Sequence, residues 1–398
     1  MTSFNISCTG FNGFGQLKNL PKVITSLEEL KLESLSSIES QKILLKCSWN
    51  YCAYANDNDL YVCGCFNGNG LQERRFPFEY SIKDIACTEH YCIVLLTIGI
   101  AYKINCQTFE LNEINSTIIP RSTLDDRLKP SRIFGVFSAQ RENELNESKD
   151  EFITHVAAGR SLSVVITNKN NVYNLPLKVY TFPSHVKIKK ICCGNEHCLI
   201  LTTNGDLYAF GSSSRGQLGL GTLDTEEQPI LIEDLAGIKI IDVAAGGWHS
   251  AAISAFNDCY VWGWNVNGQI GLPLYETFEI VEKNGEKRTE RQKCSTVFAA
   301  PVIVNLPKPN VDEADDDDEN IFLQNQYHPV AVSAGTRHTV LKIDDGSIMA
   351  TGWNKYGQLA SDQLDKDIDH FQKIDKKISD DGQIICGDWC TFIVSRNK

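Results

Sequence analysis

Residues 243–254 read VAAGGWHSAAIS, and after the turn AFND the chain continues CYVWGWNVNGQIG from Cys259 to Gly271. Small residues lead to Gly246, an apolar run follows from His249, and a short third run ends at Gly263 before Gly268-Gln269-Ile270. Apolar stretches of this length, bounded by Gly and by Asn/Asp turns, mark short strands and not helices. The pattern recurs as ICCGNEHCLILTTNGDLYAFGSSSRGQLG over 191–219 and as VSAGTRHTVLKIDDGSIMATGWNKYGQL over 332–359. Weaker copies start at Cys47, Cys87 and Ala157. A seventh is split: CGDWCTFIVS starts at Cys386, and residues 4–17 supply the half it lacks. The aligned positions are Ser48, Thr88, Gly159, Gly194, Gly246, Gly335 and Gly387, spaced 40, 71, 35, 52, 89 and 52 residues apart. A base period of this size with insertions suits sheets arranged radially about an axis, one blade per repeat. The expected fold is therefore all-β, a seven-bladed β-propeller occupying 1–398. Strand 4–9 should pair with 391–395, which closes the ring and removes an open sheet edge.

The Ala-Gly-Gly-Trp-His-Ser and Trp-Gly-Trp-Asn-x-x-Gly-Gln motifs resemble the regulator of chromosome condensation repeat family. They do not resemble WD repeats, which carry Gly-His and Trp-Asp signatures. Four linkers are full, at 10–17, 211–219, 263–271 and 352–359. Residues 64–71 are a partial copy, and Tyr102–Asn105 and Tyr173–Pro176 lack the linker.

Composition narrows the class. A hydrophobic content of 42% suffices for a packed core. The opening MTSFNISCTG has neither the basic region nor the apolar stretch of a signal peptide, and the apolar run from Cys92 to Tyr102 is too short to span a bilayer. A soluble intracellular protein without membrane contact is expected, in nucleus and cytoplasm, with chromosome association open. Of the net charge of −12, DEADDDDE at 312–319 contributes seven acids. No Lys/Arg block stands out, so direct sequence-specific nucleic-acid binding is not expected.

Fifteen cysteines invite a metal or disulfide reading, and the register argues against both. Cys47, Cys87, Cys193 and Cys386 share a position that is Ala158, Ala245 or Ala334 elsewhere; Cys52, Cys92 and Cys198 share one that is Ser250 or Thr339 elsewhere. Cysteine there behaves as a small buried residue. Cys192-Cys193-Gly194-Asn195-Glu196-His197-Cys198 is the best local case for a metal, but it has no paired CxxC spacing, and Cys63 and Cys65 form a lone pair. His197, His249 and His338 also share a register and are expected to bond locally. No cofactor, metal site or catalytic constellation is expected: the glycines of NVNGQIG are turn glycines with no helix following to receive a phosphate.

Function is then sought in inserts and loop faces. One insertion is expected at 107–150, between blades two and three, and a second, acidic and disordered, at 273–328, between blades five and six. The first holds LKPSRIFGVF at 128–137, in which Arg132, Phe134 and Phe137 suit an extended segment that docks into a partner's groove; the plainer reading is a long blade connection with Phe134 and Phe137 covering the ring's own surface. The acidic tract suits a solubilising loop or a contact with histones. Most tryptophans are expected to pack between blades. Trp264 and Trp353 follow a strand-ending Gly, and are candidates for exposed binding anchors.

Within the family, the short start, the AGGWHS blade and the acidic insert resemble one particular member. That resemblance implies a non-enzymatic, monomeric scaffold for a JmjC-type 2-oxoglutarate oxygenase, a histone lysine demethylase, acting in chromatin regulation and chromosome segregation. The founding member implies an alternative, nucleotide exchange on a Ran-like small GTPase. Exchange would need an intact loop face and a projecting wedge, and two degenerate linkers and the missing basic arm weaken it.

Overall fold

A computed structural model describes residues 4–32, 43–65, 73–118, 151–281, 287–306, 327–364 and 366–396. Seven four-stranded antiparallel sheets form the ring, and an eighth sheet has two strands. Blade four shows the plan: Ile188–Cys193 is innermost, His197–Thr202 and Leu207–Gly211 follow, and Glu226–Leu231 is outermost. The innermost strands pack in a closed cycle. Leu44–Cys47, Ile82–Cys87, Ile153–Ala158, Ile188–Cys193, Ile240–Ala245, Pro329–Ala334 and Gln383–Cys386 each contact the next, and the last returns to the first.

The register read from the repeats is the register of the ring. At Ser48, Thr88, Gly159, Gly194, Gly246, Gly335 and Gly387 the backbone N–H donates to the carbonyl three residues on, at 2.8–2.9 Å in every blade. This turn faces the axis, where neighbouring blades crowd. A Cβ on Gly159 would stand 1.7 Å from Gly194 O, and one on Gly194 2.1 Å from Gly246 O. At Gly159 and Gly194 glycine is needed because backbone meets backbone, whereas Ser48 and Thr88 hold the equivalent turns of blades one and two.

The split repeat closes the ring as expected. Phe4–Phe11 pairs with Cys390–Arg396, Asn5 opposite Ser395 through Gly10 opposite Cys390, and Val23–Glu29 completes blade seven on its outer side. The core is distributed between blades. One cluster joins Cys8, Cys390 and Phe392 of blade seven to Cys47, Cys52 and Tyr54 of blade one. All fifteen cysteines are free thiols, and Cys8 and Cys63 are pushed far up in pKa, chiefly by burial.

Both expected insertions are narrower than their sequence ranges. Within 107–150, Leu111–Glu113 pairs with Ala101–Asn105 as the outer strand of blade two. Asn105 Oδ1 makes this return possible by accepting from the N–H groups of Gln107 and Thr108. Within 273–328, Tyr275–Val281 and Lys287–Lys293 form an ordered hairpin, and Val297–Ile303 is the outer strand of blade five. The apolar run VFAAPVI of this strand was obscured by the charged stretch before it. The acidic tract itself lies outside the described residues.

Candidate docking face

The ring has two unlike faces. The turns after the innermost strands and the Gly-Gln linkers open on one, here the linker face. The turns joining second to third strands, such as 203–206 and 255–258, lie on the other. Blade five shows the sense, since Trp264 stands opposite Val297 and Tyr260 opposite Ile303. The outer strand therefore starts at the linker face and ends at the far one. The paired strands Tyr275–Val281 and Lys287–Lys293 belong to the connection from third to outer strand, so they leave the ring at the linker face. Cys294 N donates to Leu274 O at their stem, and Asp369 Oδ2 of blade six accepts from Leu274 N.

A hydrogen-bonded relay holds this face to the blades beneath. His197 Nε2 lies 2.9 Å from Ser250 Oγ of the next blade, His249 Nε2 2.8 Å from Thr339 Oγ1, and His338 Nε2 3.1 Å from Thr391 Oγ1. Each hydroxyl gives its proton to a linker carbonyl, Gln217 O, Gln269 O or Gln358 O. The histidine must then be the donor, which fixes a neutral ring protonated on Nε2. Burial lowers His197 and His249 to about 3 and His338 to about 4, and neighbouring His197 and His338 add to the effect on His249. These histidines are interblade staples. His197 turns to Ser250 and away from Cys193 and Cys198, which face each other across the strand pair. Among the described residues no cluster of three or more His, Cys, Asp or Glu is arranged to hold a metal.

The axial cavity, of about 450 Å³, is lined by all seven blades. Lys190, one of its lining residues, holds Nζ 2.7 Å from Asp242 Oδ1. Burial opposes the lysine's charge, but the Asp242 carboxylate outweighs it and raises the Lys190 pKa.

Aromatic side chains and arginines are laid along the linker face from blade four to blade one. Arg215 Cζ sits 4.6 Å from the Trp248 ring centre and 4.5 Å from that of Trp264. Arg337 Cζ is 5.4 Å from Trp264 and 5.6 Å from Trp353. Trp353 meets Trp389 edge-on at 4.8 Å and Tyr356 at 5.2 Å; Tyr356 is 4.8 Å from Phe11, and Phe14 is 4.8 Å from Trp49. All these rings are part-exposed, and Trp49 reaches 39%. Asp388 lies among them and accepts from Thr336 Oγ1 at 3.2 Å and Ser48 Oγ at 3.4 Å. Burial nevertheless holds its carboxyl above the usual range.

The structure thus unites Trp264 and Trp353 through Arg337, while Arg132, Phe134 and Phe137 lie outside the described residues. Arg215, Trp248, Arg337, Tyr356 and Trp389 were missed as site residues. Their signal is positional. Phe14, Arg215, Asn267 and Tyr356 each precede the Gly-Gln of a linker, and Glu196, Trp248, Arg337 and Trp389 each precede the second strand. These are the places where the repeats differ from one another.

Part of the chain, within residues 188–269, matches regulator of chromosome condensation repeats, and the described residues build a seven-bladed propeller. Residues 204–253 match the regulator of chromosome condensation (RCC1) repeat, and 188–217 and 240–269 match a second description of the same repeat. Among particular proteins, the chain is similar to human RCC1 domain-containing protein 1, 32% identical over 228 residues that make up 54% of this chain and 57% of the human one. The match therefore spans little more than half of that relative. Two solved structures share the fold at 16% identity. Human WBSCR16 has a TM-score of 0.66 over 99% of this chain and 100% of its own. Prp20p from Saccharomyces cerevisiae has a TM-score of 0.64 over 100% of this chain and 92% of its own.

Proposed function

We propose that this propeller is a non-enzymatic scaffold whose linker face holds a JmjC-type 2-oxoglutarate oxygenase, a histone lysine demethylase, in chromatin regulation and chromosome segregation, in nucleus and cytoplasm. The observation that carries a scaffold role is the aromatic and arginine surface running from Arg215 to Trp49. Part-exposed Trp, Tyr and Arg at this density are what protein interfaces are built from. The choice of oxygenase rests on the resemblance read from the short start, the AGGWHS blade and the acidic insert. The test is co-elution of purified protein with a recombinant JmjC oxygenase on size exclusion. A complex with wild type that is lost in Trp264→Ala/Trp353→Ala supports the reading, and a complex that survives the double variant moves docking off this face. A deletion of 128–137 in parallel tests the insert holding Arg132, Phe134 and Phe137 as the alternative contact.

One observation favours a second reading, nucleotide exchange on a Ran-like GTPase. The paired strands Tyr275–Val281 and Lys287–Lys293 are an addition to the linker-face connection of blade five, the place where an exchange wedge would be carried. The structure report of Prp20p names binding to Gsp1p and to histones for that protein. Release of labelled GDP from Ran discriminates: acceleration by wild type, lost on shortening the hairpin, would place exchange first.

A further inference from the structure

We propose that the Arg215–Trp264–Arg337 arc on the linker face is a docking site for an acidic peptide segment of a partner protein, whose carboxylates are received by the two guanidiniums. The inference rests on the linker face being the docking surface and adds the chemistry of what it takes.

Unused hydrogen-bond donors carry the inference. An arginine side chain has five N–H donors and no acceptor. Neither Arg215 nor Arg337 forms an ion pair among the described residues. Arg337 gives one N–H to Asn267 Oδ1 at 3.2 Å, while its Nε is buried with no acceptor. Trp248 Nε1, beneath Arg215, is also buried without one. The remaining guanidinium N–H groups of both arginines have no acceptor among the described residues, and a ligand made of acceptors pairs with them. A carboxylate is acceptor-only and matches the guanidinium fork in both charge and geometry.

The carboxylates described on this face do not fill the role: Glu196 forms no ion pair with either arginine among the described residues, and Asp369 is engaged by His370 and by Leu274 N. Asp388 is engaged by Thr336 and Ser48. Glu89 meets His90 at 3.0 Å and Arg160 at 3.9 Å. Asp367 accepts from Asn267 Nδ2, at 3.1 and 3.2 Å, with Asn267 standing between it and Arg337.

The indoles beneath the guanidiniums set the rest of the selectivity. The Trp264 ring centre lies 4.5 Å from Arg215 Cζ and 5.4 Å from Arg337 Cζ, a planar cation–π pairing that a lysine reproduces poorly. Trp353 and Trp389 continue the surface with apolar edges for side chains between the acids. Nucleic acid is also anionic, but a phosphate backbone needs many cations, and this chain carries a net charge of −12.

The test titrates the purified full chain with a fluorescein-labelled DEDFDED peptide. The controls are the same peptide with Lys for every acid and a single-stranded oligonucleotide of matched charge. Saturable binding of the acidic peptide alone is expected, weakening with salt and weakened at least tenfold in Arg215→Gln/Arg337→Gln. The thermal melt of that variant verifies its fold, and Arg215→Lys/Arg337→Lys should restore only part of the affinity. The proposal is overturned if the acidic peptide does not bind, if it binds the folded Gln variant equally, or if the oligonucleotide binds in preference. Self-association that the peptide competes away and that deletion of 312–319 abolishes would place a second copy in the arc and also overturn it. Oxygenase co-elution lost in Trp264→Ala/Trp353→Ala but intact in Arg215→Gln/Arg337→Gln would remove the acidic ligand and leave the docking face standing.

Discussion

His249 Nε2 lies 2.8 Å from Thr339 Oγ1, one blade further round the ring, and that hydroxyl passes its proton to Gln269 O, 2.6 Å away on the linker of the histidine's own blade. One buried hydroxyl thus joins two blades and a linker. Thr339→Val keeps the volume and leaves a donor and an acceptor unpaired, so it should cost about 1–3 kcal/mol. Urea unfolding measures this. In a double-mutant cycle with His249→Phe the two losses should fall short of additivity, because they remove the same bond.

The same histidines make stability depend on pH. His197 and His249 are lowered to about 3, His338 to about 4, and His155 to about 4, all first by burial. In the unfolded chain each titrates near the ordinary value of 6.5. Their contribution is complete above that value. As pH falls below it, the unfolded chain takes up protons that the folded chain refuses, and stability declines toward the folded values by about 1.4 kcal/mol per pH unit per histidine. The melting temperature should fall between about pH 7.5 and 5.5. Substituting His249→Gln should flatten that dependence.

The axial glycines should tolerate no side chain. A Cβ on Gly246 would stand 2.1 Å from His249 Cε1 and 2.7 Å from Gly335 O. Gly246→Ala should therefore destabilise by about 3 kcal/mol or more, as other strained or overpacked core substitutions do. At Gly221 a Cβ meets nothing within 4 Å, and only the positive φ of +77° opposes it, so Gly221→Ala should cost about 1 kcal/mol. Differential scanning calorimetry of the two variants separates crowding from backbone strain.

Removing residues 1–10 takes a strand out of the middle of blade seven, because Phe4–Phe11 lies between Cys390–Arg396 and Val23–Glu29. It also removes Cys8 and Ile6 from the cluster shared with blade one. The melting temperature of the whole ring should drop and the transition should broaden. An unchanged melt would contradict the terminal pairing as the element that closes the ring.

The blade plan was legible because it is written in repeated backbone demands. Every innermost turn makes the same short bond, so each copy must bring a small residue there, and Ser48, Thr88 and five glycines align without coordinates. The ordinary roles of Cys47, Cys87, His197 and His249 followed from that alignment. The candidate site was half legible. Trp264 and Trp353 follow conserved-looking strand ends within the repeats, but Arg215 and Arg337 sit where the copies differ, one in a linker and one in a turn. Only the ring brings these positions, 122 apart in the chain, into one surface. The outer strand Val297–Ile303 was lost for a different reason: a charged hairpin separates it from its blade, and charge run was read as the mark of an insertion.

Hydrogen exchange of the purified protein, alone and with the JmjC oxygenase bound, tests the linker face as the docking surface most directly. The account predicts slowed exchange at 212–217, 247–249, 264–269, 336–338 and 353–358, with the far-face turns at 203–206, 255–258 and 344–346 unchanged. Protection confined to the far-face turns, with the linker turns exchanging as in the free protein, would contradict it.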